Sequence, residues 1–441
     1  GAVVATGTGS SHFALLSNLT GTAALDIGVA LTSLTVQVLD SSRSPFFDAT
    51  DLLGVDPACP GVCQAIDAVA VDLDGDLMPD IFGSGGEKAS DVMLADPLTI
   101  EAHVQPKAGE QGFEFVAAGT VSVALYPTFS VSQADVHIGS AGWQPDDIEF
   151  SLSSADPTVN GMPVYVAGQD TGFFLGRDPD SGVWRVMVSA GTTTLRRNLV
   201  VSAEQPIELL GAVGFDPDAA PPSDVLLRLE NGVFQNRVST AGFDGPSAAR
   251  SIAAGDFDND MDIDLYLVAT GPVANLPNLL YENLGGGTFR RVTGAGGAEG
   301  SLKGRGDSVS VVDYDGDGFL DLFVTNGTSK APFERDGPYE LFRNLGNDNH
   351  WLALDLNGVQ SNRDGIGARV TVTAGGRTQL REQTNGMHHR TQNHRRLHFG
   401  LGANTRADTI VIHWPSGIRQ VLRDIAADQV LQVVEPAQPG S

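Results

Sequence analysis

Aspartates recur at alternate positions in three short segments of this chain, a spacing suited to binding a cation. Each segment has a short apolar run, then Asp at relative positions 1, 3, 5 and 9, and then a second apolar run. Alternate side chains of a tightly wrapped loop can point inward together, and Ca²⁺ prefers carboxylate and carbonyl oxygens. The backbone carbonyl at position 7 can add another ligand. The predicted ligand sets are Asp72, Asp74, Asp76, Met78 and Asp80; Asp256, Asp258, Asp260, Asp262 and Asp264; and Asp313, Asp315, Asp317, Phe319 and Asp321.

Other interpretations of these segments are less favourable. An EF-hand begins with the same D-x-D-x-D pattern, but it needs a glutamate at position 12 and flanking helices. Position 12 is Gly83, Leu267 or Val324 here, and the flanking residues favour strands. Magnesium tends to keep its bound water and seldom uses so many carboxylates. Aspartate is also a common turn residue, but three copies in register favour metal binding, and we expect about three calcium sites.

Each aspartate segment lies between two predicted strands, so its loop would join neighbouring strands of one sheet. Strand–turn–strand patterns such as "NLLYENLGGGTFRRVT" follow several of the segments. A unit of four short strands that recurs roughly every 40 to 60 residues is typical of a β-propeller blade. A decayed copy keeps Asp216, Asp218 and Asp224 but has Ala220 at position 5. The predicted fold class is an all-β, calcium-binding β-propeller.

The aspartate segments resemble FG-GAP/VCBS repeats, the calcium-binding blades of integrin-α-type propellers. In those repeats the loop ties together two strands of one blade, so the resemblance implies that calcium is a structural ion. The resemblance covers the repeat-bearing parts of residues 40–110 and 205–348. The chain left for the propeller suits about five to seven blades.

Two further regions have different patterns. Residues 112–204 lack the Asp loops and alternate apolar with polar residues, which predicts an inserted β-sandwich-like domain. From residue 349 the patterns N-x-x-G-x-G-A-R-V, H-F-G-L-G and W-P-S-G resemble the ASPIC/UnbV domain. That domain often follows FG-GAP/VCBS repeats in secreted bacterial proteins and in the cartilage acidic proteins. The predicted domains are 1–111 (N-terminal segment and first blades), 112–204 (insertion), 205–348 (remaining blades) and 349–441 (C-terminal β domain).

The chain is strongly acidic, with 54 acidic against 27 basic residues and a formal net charge of −27. Such a surface repels nucleic acids and anionic membranes, so we expect neither as a partner. The C-terminal region differs, because it has ten arginines against seven acidic residues from His350 onward. This asymmetry makes the C-terminal region the place where an anionic partner would bind.

One C-terminal segment, "NGMHHRTQNHRRLHFG", concentrates histidine and arginine. It could bind an acidic protein surface, an anionic glycan or a transition metal, or it could be a solvated polar hairpin. Adjacent histidines on a strand point to opposite faces, which disfavours the metal. The candidate contact residues are His388, His389, Arg390, His394, Arg395, Arg396 and His398.

Several features favour a secreted protein. Cys59 and Cys63 are the only cysteines, and we expect them to form a small loop-closing disulfide in an oxidising compartment. Because the sequence begins at Gly1 rather than Met, we expect that a signal peptide has been removed. No apolar run approaches the roughly 18 to 20 residues that a membrane span needs.

The sequence contains none of the G-x-S-x-G, P-loop or H-E-x-x-H motifs of common enzyme classes. Carboxylates that hold calcium are poor general acids. We therefore expect a secreted, non-enzymatic binding or assembly protein for adhesion, matrix or cell-surface interaction, with a protein or glycan partner or with self-assembly. One alternative is a structural subunit of an extracellular filament or surface layer. Another is a glycan-binding or glycan-processing propeller protein.

Overall fold

The structure, a computed structural model, describes most of the chain, and the described part is all-β. Its regular structure is strands and the short 3₁₀ helices Pro157–Val159 and Val238–Thr240. Within this part of the chain, no helix has both the length and the apolar character that crossing a bilayer requires. The described residues are 11–19, 26–31, 36–40, 47–48, 65–127, 135–231, 233–327, 333, 336–384, 386–388 and 391–437.

The strands are numbered in chain order. Strands β1 to β6 are Ser11–Ser17, Asp26–Leu31, Val36–Asp40, Phe47–Asp48, Ala68–Val71 and Asp80–Gly83. Strands β7 to β16 are Asp91–Asp96, Thr99–Val104, Lys107–Val116, Thr120–Pro127, Val136–Ile138, Glu149–Ser153, Gly172–Arg177, Val183–Thr194, Arg197–Ala203 and Glu208–Val213. Strands β17 to β25 are Val225–Glu230, Val233–Asn236, Ala249–Gly255, Asp264–Ala269, Leu279–Asn283, Phe289–Val292, Arg305–Val312, Asp321–Gly327 and Tyr339–Phe342. Strands β26 to β34 are His350–Asn357, Arg369–Ala374, Arg377–Glu382, Met387–His388, Thr391–Gln392, Leu397–Gly402, Arg406–His413, Arg419–Ala426 and Gln429–Val434.

Four antiparallel sheets of the described chain have the short strands of propeller blades. Their strand orders are β1-β2-β3-β4, β5-β6-β17-β18, β19-β20-β21-β22 and β23-β24-β25. The first strand of each sheet lies beside that of the next, since β1 contacts β5, β5 contacts β19, and β19 contacts β23. Fully buried residues such as Ile252 of β19 and Val309 of β23 pack between these strands. Burial of this apolar surface holds the sheets together.

A hairpin from the C-terminal region lies between the first and the last of these sheets. Strand β30 contacts β23, and its partner β29 contacts β1. Next to the hairpin, the N–H of Val311 donates to Asn393 Oδ1 (3.0 Å), and the Ser17 hydroxyl donates to Glu382 Oε2 (2.6 Å). The described residues therefore form four sheets and a closing hairpin, where the chain length suggests five to seven blades.

The insertion interrupts one blade instead of separating two. Strands β6 and β17 pair directly, with Phe82 opposite Leu226, although the whole insertion separates them in sequence. The insertion consists of two five-stranded sheets, β12-β10-β15-β8-β7 and β11-β13-β14-β9-β16. Residues of both sheets, including Ile100, Phe115 and Trp184, share one buried core, as in a β-sandwich.

The sandwich is longer than the 112–204 expected from the sequence, because its strands extend from Asp91 to Val213. Residues 91–111 were expected to belong to the first blades, but their strands belong to the sandwich. Strand β7 contains the short apolar run VMLA and β8 alternates polar and apolar residues, and blade strands can have either pattern, so the sequence could not assign them to either sheet. The sandwich therefore takes up more of the chain than residues 112–204.

Strands β26 to β34 form the C-terminal domain. Its main sheets are β31-β26-β34, in which β26 and β34 are parallel, and β28-β27-β32-β33. Alternate residues of their strands, such as Leu352 and Leu354 of β26 and Val370 and Val372 of β27, are buried in a common core. The domain lies against the same ends of the blades from which the aspartate loops emerge.

Candidate metal centres

The three aspartate segments form loops at the same place in three sheets. Loop 1 (residues 72–80) joins β5 to β6, loop 2 (256–264) joins β19 to β20, and loop 3 (313–321) joins β23 to β24. Each loop brings ligand oxygens of three carboxylates within 4.8 Å of one another, a grouping that could hold a metal ion. The grouped residues are Asp72, Asp74 and Asp80; Asp256, Asp258 and Asp260; and Asp313, Asp315 and Asp321.

Backbone hydrogen bonds give the loops the same internal framework. The aspartate at position 1 accepts the N–H of position 6, as in Leu77 to Asp72 Oδ2 (3.2 Å) and Met261 to Asp256 Oδ2 (3.0 Å). The aspartate at position 9 accepts the N–H of position 2 at 3.0 Å in all three loops. A carboxylate oxygen has two lone pairs, so these bonds leave acceptor capacity for a cation.

The framework requires two sharp reversals of the backbone in each loop. Position 4 has a positive φ at Gly75 (79°), Asn259 (61°) and Gly316 (77°). Glycine and asparagine adopt this conformation most easily. Position 6 also has a positive φ, at Leu77 (69°), Met261 (83°) and Gly318 (88°). The leucine and the methionine are strained there, so other contacts must hold them.

Burial and mutual repulsion raise the pKa values of several carboxylates in each loop. Burial, with the neighbouring aspartates adding to it, raises the pKa of Asp80 to about 8 and that of Asp72 to about 6. The pKa of Asp256 rises to about 8 and that of Asp260 to about 6, again mainly because of burial. Burial likewise raises the pKa of Asp321 in loop 3. Groups that resist ionisation together at neutral pH are suited to a cation that compensates their charge.

Arginines contact the outer edge of two loops. Arg343 forms ion pairs with Asp315 and Asp317 of loop 3, and its NH2 group is 3.2 Å from Asp317 Oδ2. Arg377 NH2 donates to Asp262 Oδ1 in loop 2 (2.7 Å). The predicted ligands at positions 3 and 5 of loop 3 and the side chain at position 7 of loop 2 therefore also have protein partners. The position 7 carbonyls of Met78, Asp262 and Phe319 remain predicted ligands.

In the decayed fourth copy, the aspartate at position 9 is held by hydrogen bonds from neighbouring residues. Asp224 is buried, and its carboxylate accepts the N–H of Gly85 (2.9 Å), the N–H of Ser247 (2.8 Å) and the Ser247 hydroxyl (3.0 Å). Asp216 and Asp218 of the same copy are not buried with it. This copy therefore supports the split blade without the carboxylate grouping seen in the three loops.

The described side chains of the histidine- and arginine-rich segment mostly bind other parts of the chain. Arg396 forms two bonds of 3.1 Å to the Asp355 carboxylate, and Arg395 pairs with Asp364. His398 Nε2 lies 3.0 Å from the Gly318 carbonyl oxygen, and burial lowers its pKa to about 4. His388 lies in β29. Outside the described residues lie His389 and Arg390, as well as the predicted Cys59–Cys63 disulfide.

A cavity of about 190 Å³ lies where β5, β19 and β23 end, between the blades and the C-terminal domain. The position 1 aspartates Asp72, Asp256 and Asp313 line one side. Arg381, His394 and His398 line the other side. Sequence reasoning did not single out Arg343, Arg369, Arg377 or Arg381, because an isolated arginine in or next to a strand carries no motif.

Two family models match the chain. The FG-GAP-like repeat matches residues 262–324, which contain the whole of loop 3. The model named ASPIC and UnbV matches residues 358–440. Both resemblances seen in the sequence are confirmed. The first of them covers part of two blades, and the second covers most of the C-terminal domain.

The chain is also similar to cartilage acidic protein 1 of three vertebrates. It is 29% identical to the mouse protein over 211 residues, which is 46% of this chain and 31% of the mouse protein. It is 29% identical to the human protein over 211 residues, which is 46% of this chain and 30% of the human protein. It is 29% identical to the Xenopus tropicalis protein over 218 residues, which is 47% of this chain and 32% of that protein. The matched part therefore spans about a third of the length of these curated relatives.

Proposed function

We propose that this chain is a secreted, non-enzymatic binding or assembly protein whose blades are stabilised by about three calcium ions. The observation that supports this most is that a group of three carboxylates recurs at the same strand connection of three sheets. A catalytic site needs one such grouping, whereas a structural role explains its repetition. An ion that binds the folded loops and not the unfolded chain would stabilise the fold.

The donor set favours calcium over other metals. All the grouped ligands are carboxylate oxygens, which suit hard cations, and no histidine or cysteine belongs to the three groups. Magnesium usually retains several waters and uses one or two carboxylates. When bound, calcium would neutralise part of the negative charge that each group concentrates.

An extracellular binding role has separate support. The relatives are proteins named for cartilage, an extracellular tissue. The last blade also exposes a group of apolar side chains: Tyr339 is 78% exposed, and Leu341 lies opposite Phe323 in the sheet register. The rings of Phe323 and Tyr339 are 6.1 Å apart, so the group is contiguous. Contiguous exposed apolar groups mark interaction sites more often than scattered ones do.

Equilibrium dialysis of the metal-stripped chain tests the calcium claim. We expect about three bound calcium ions per chain, with magnesium unable to displace them at equal concentration. Binding of no calcium, or displacement by equal magnesium, would contradict the claim.

The same exposed group of apolar side chains favours self-assembly as a second candidate. Light scattering of the calcium-loaded chain over a range of concentrations distinguishes the two roles. A mass that rises with concentration in the wild type and not in Leu341→Ser supports assembly. A constant monomer mass supports a partner of another kind.

A further inference from the structure

The C-terminal domain contacts all three aspartate loops, and in each loop it contacts the residue at position 6. These residues are Leu77, Met261 and Gly318, the positions with the second positive φ. Their N–H groups donate to the position 1 aspartates, at 3.2, 3.0 and 3.1 Å respectively. Position 6 is therefore fixed directly by a predicted metal ligand.

Loop 2 makes the most extensive contact. The side chain of Met261 is 6% exposed and belongs to the hydrophobic core of the C-terminal domain, together with Leu352 and Phe399. A residue of a metal loop thus completes the core of another domain. Its strained backbone conformation is held by this packing and by the Asp256 hydrogen bond.

Backbone groups of β31 lie directly on loop 2. The N–H of Gly400 donates to Asp256 Oδ2 (3.2 Å), and the N–H of Gly402 donates to the Asn259 carbonyl oxygen (2.8 Å). A Cβ on Gly400 would overlap Asp256 Oδ2 and the backbone of Asn259, so only glycine permits this approach. From β28, Arg377 NH1 donates to the Asp260 carbonyl oxygen (3.2 Å).

The C-terminal domain also contacts position 6 of loops 1 and 3, through different residues. Arg369 NH2 donates to the Leu77 carbonyl oxygen of loop 1 (3.1 Å). In loop 3, His398 Nε2 lies 3.0 Å from the Gly318 carbonyl oxygen. The Trp351 ring lies so close to Gly318 that an added Cβ would overlap it.

Arg381 of the C-terminal domain lies between loops 1 and 2. The charges of Asp256 and Asp72 act on its guanidinium more strongly than those of other aspartates. It forms no salt bridge of 4.0 Å or less with any carboxylate in the described part of the chain, and its hydrogen bonds go to Gln379 and to the Leu380 carbonyl. The C-terminal domain therefore places one positively charged side chain, Arg381, near aspartates of both loops.

We propose that the C-terminal domain docks on the calcium-bound shape of the loops, so that calcium binding and domain docking strengthen each other. This inference rests on the proposed calcium sites. Without a cation, the crowded carboxylates of a loop repel one another and the loop opens, which displaces position 6. Because coupling between two binding events is reciprocal, docking raises calcium affinity by the factor by which calcium favours docking.

Hydrogen–deuterium exchange of the full chain, with calcium and after chelation, tests the coupling. We expect the amides of Gly400 and Gly402 to exchange at least about tenfold faster without calcium, which corresponds to about 1.4 kcal/mol. Amides of the β32–β33 hairpin serve as the internal reference, since none of their hydrogen bonds reaches a loop. Equal exchange of Gly400 and Gly402 in both states overturns the inference.

Two variants test the reciprocal effect without removing a predicted carboxylate ligand. Met261→Gly relieves the positive φ but removes the core contact, and Arg377→Ala removes the contacts to Asp260 and Asp262. In each variant we expect one calcium site to bind about tenfold more weakly, while the other two keep their affinity. Arg377→Ala keeps the test valid if Met261→Gly reduces the yield of folded protein.

Each variant has a matched control. Asn231→Gly relieves a positive φ of 54° in an exposed turn, and Arg237→Ala removes a half-exposed ion pair with Glu230. We expect both controls to bind calcium like the wild type. If the wild type binds no calcium, the proposed function fails. If it binds calcium and neither Met261→Gly nor Arg377→Ala weakens a site, only the coupling fails.

Discussion

At the scale of the residue, the aspartates at positions 1, 3, 5 and 9 of each loop have unequal environments. Position 9 is enclosed in all three loops, since Asp80, Asp264 and Asp321 are at most 3% exposed and accept backbone N–H groups. Positions 3 and 5 are more accessible and contact arginine in loop 3. The enclosed aspartates fix the shape of the loop through their hydrogen bonds to the backbone. The accessible aspartates add further negative charge to the carboxylate group.

The raised pKa values predict how the pH affects the metal-free protein. The folded state holds protons on Asp80 and Asp256 up to about pH 8, whereas the unfolded chain releases them near pH 4. Because the folded state binds more protons between these values, its stability falls as the pH rises. We expect the melting temperature in chelator to decrease from pH 5 to pH 8. Calcium should abolish this decrease, and a rise in chelator would contradict the assignment.

Replacement of one accessible ligand tests the assignment of loop 3. Asp315→Asn keeps the size of the side chain but removes a charge from the carboxylate group of that loop. We expect one of the about three calcium sites to weaken at least about tenfold, measured by equilibrium dialysis. Asp178→Asn is the control, because Asp178 accepts the N–H groups of Asp180 and Ser181 in an exposed turn. Unchanged calcium binding in Asp315→Asn would show that this residue is not a ligand.

At the scale of the element, the aspartate loops and the strands of the C-terminal domain contact each other at position 6 of each loop. The aspartate spacing in the sequence predicts the loops and their place between strands, because that spacing has a direct meaning for metal binding. It does not predict that Met261 enters the core of another domain, since a methionine at position 6 of an aspartate loop carries no such signal. The contacts of Arg369 and Arg377 also follow only from the three-dimensional arrangement.

The tight fit at Gly318 predicts a large effect of a single methyl group. Gly318→Ala places a side chain at φ 88° and against the Trp351 ring. Gly376→Ala is the control, because Gly376 has φ 83° but nothing within 4 Å of an added Cβ. The control should lose about 1 to 2 kcal/mol from backbone strain alone. Denaturant unfolding should show a clearly larger loss in Gly318→Ala, and equal losses would contradict the packing described.

At the scale of the whole molecule, the sequence predicts the fold class and the order of the regions better than their boundaries. The resemblance to FG-GAP repeats follows from residues that lie close together in sequence. The pairing of β6 with β17 could not be predicted, because the insertion separates Phe82 from Leu226 and local patterns carry no information on distant pairing. The same limit explains why the position of the hairpin β29–β30, between β1 and β23, was not expected, although a polar hairpin in this segment was one of the alternatives.

The nested insertion predicts two units with different responses to calcium. The sandwich has its own core, and the metal-ligand groups found in the described chain all lie outside it. A fragment of residues 88–216 should therefore fold alone, with the same melting temperature in calcium and in chelator. A fragment that fails to fold, or whose melting depends on calcium, would show that the sandwich needs the blades.

The central claim is that calcium stabilises the blades, and thermal unfolding of the full chain tests it most directly. Each site contributes about 2.7 kcal/mol when free calcium is 100 times its dissociation constant. We expect calcium to raise the melting temperature of demonstrably metal-free protein by at least about 10 °C, because 1 kcal/mol shifts a domain of this size by a few degrees. An unchanged melting curve would contradict the account.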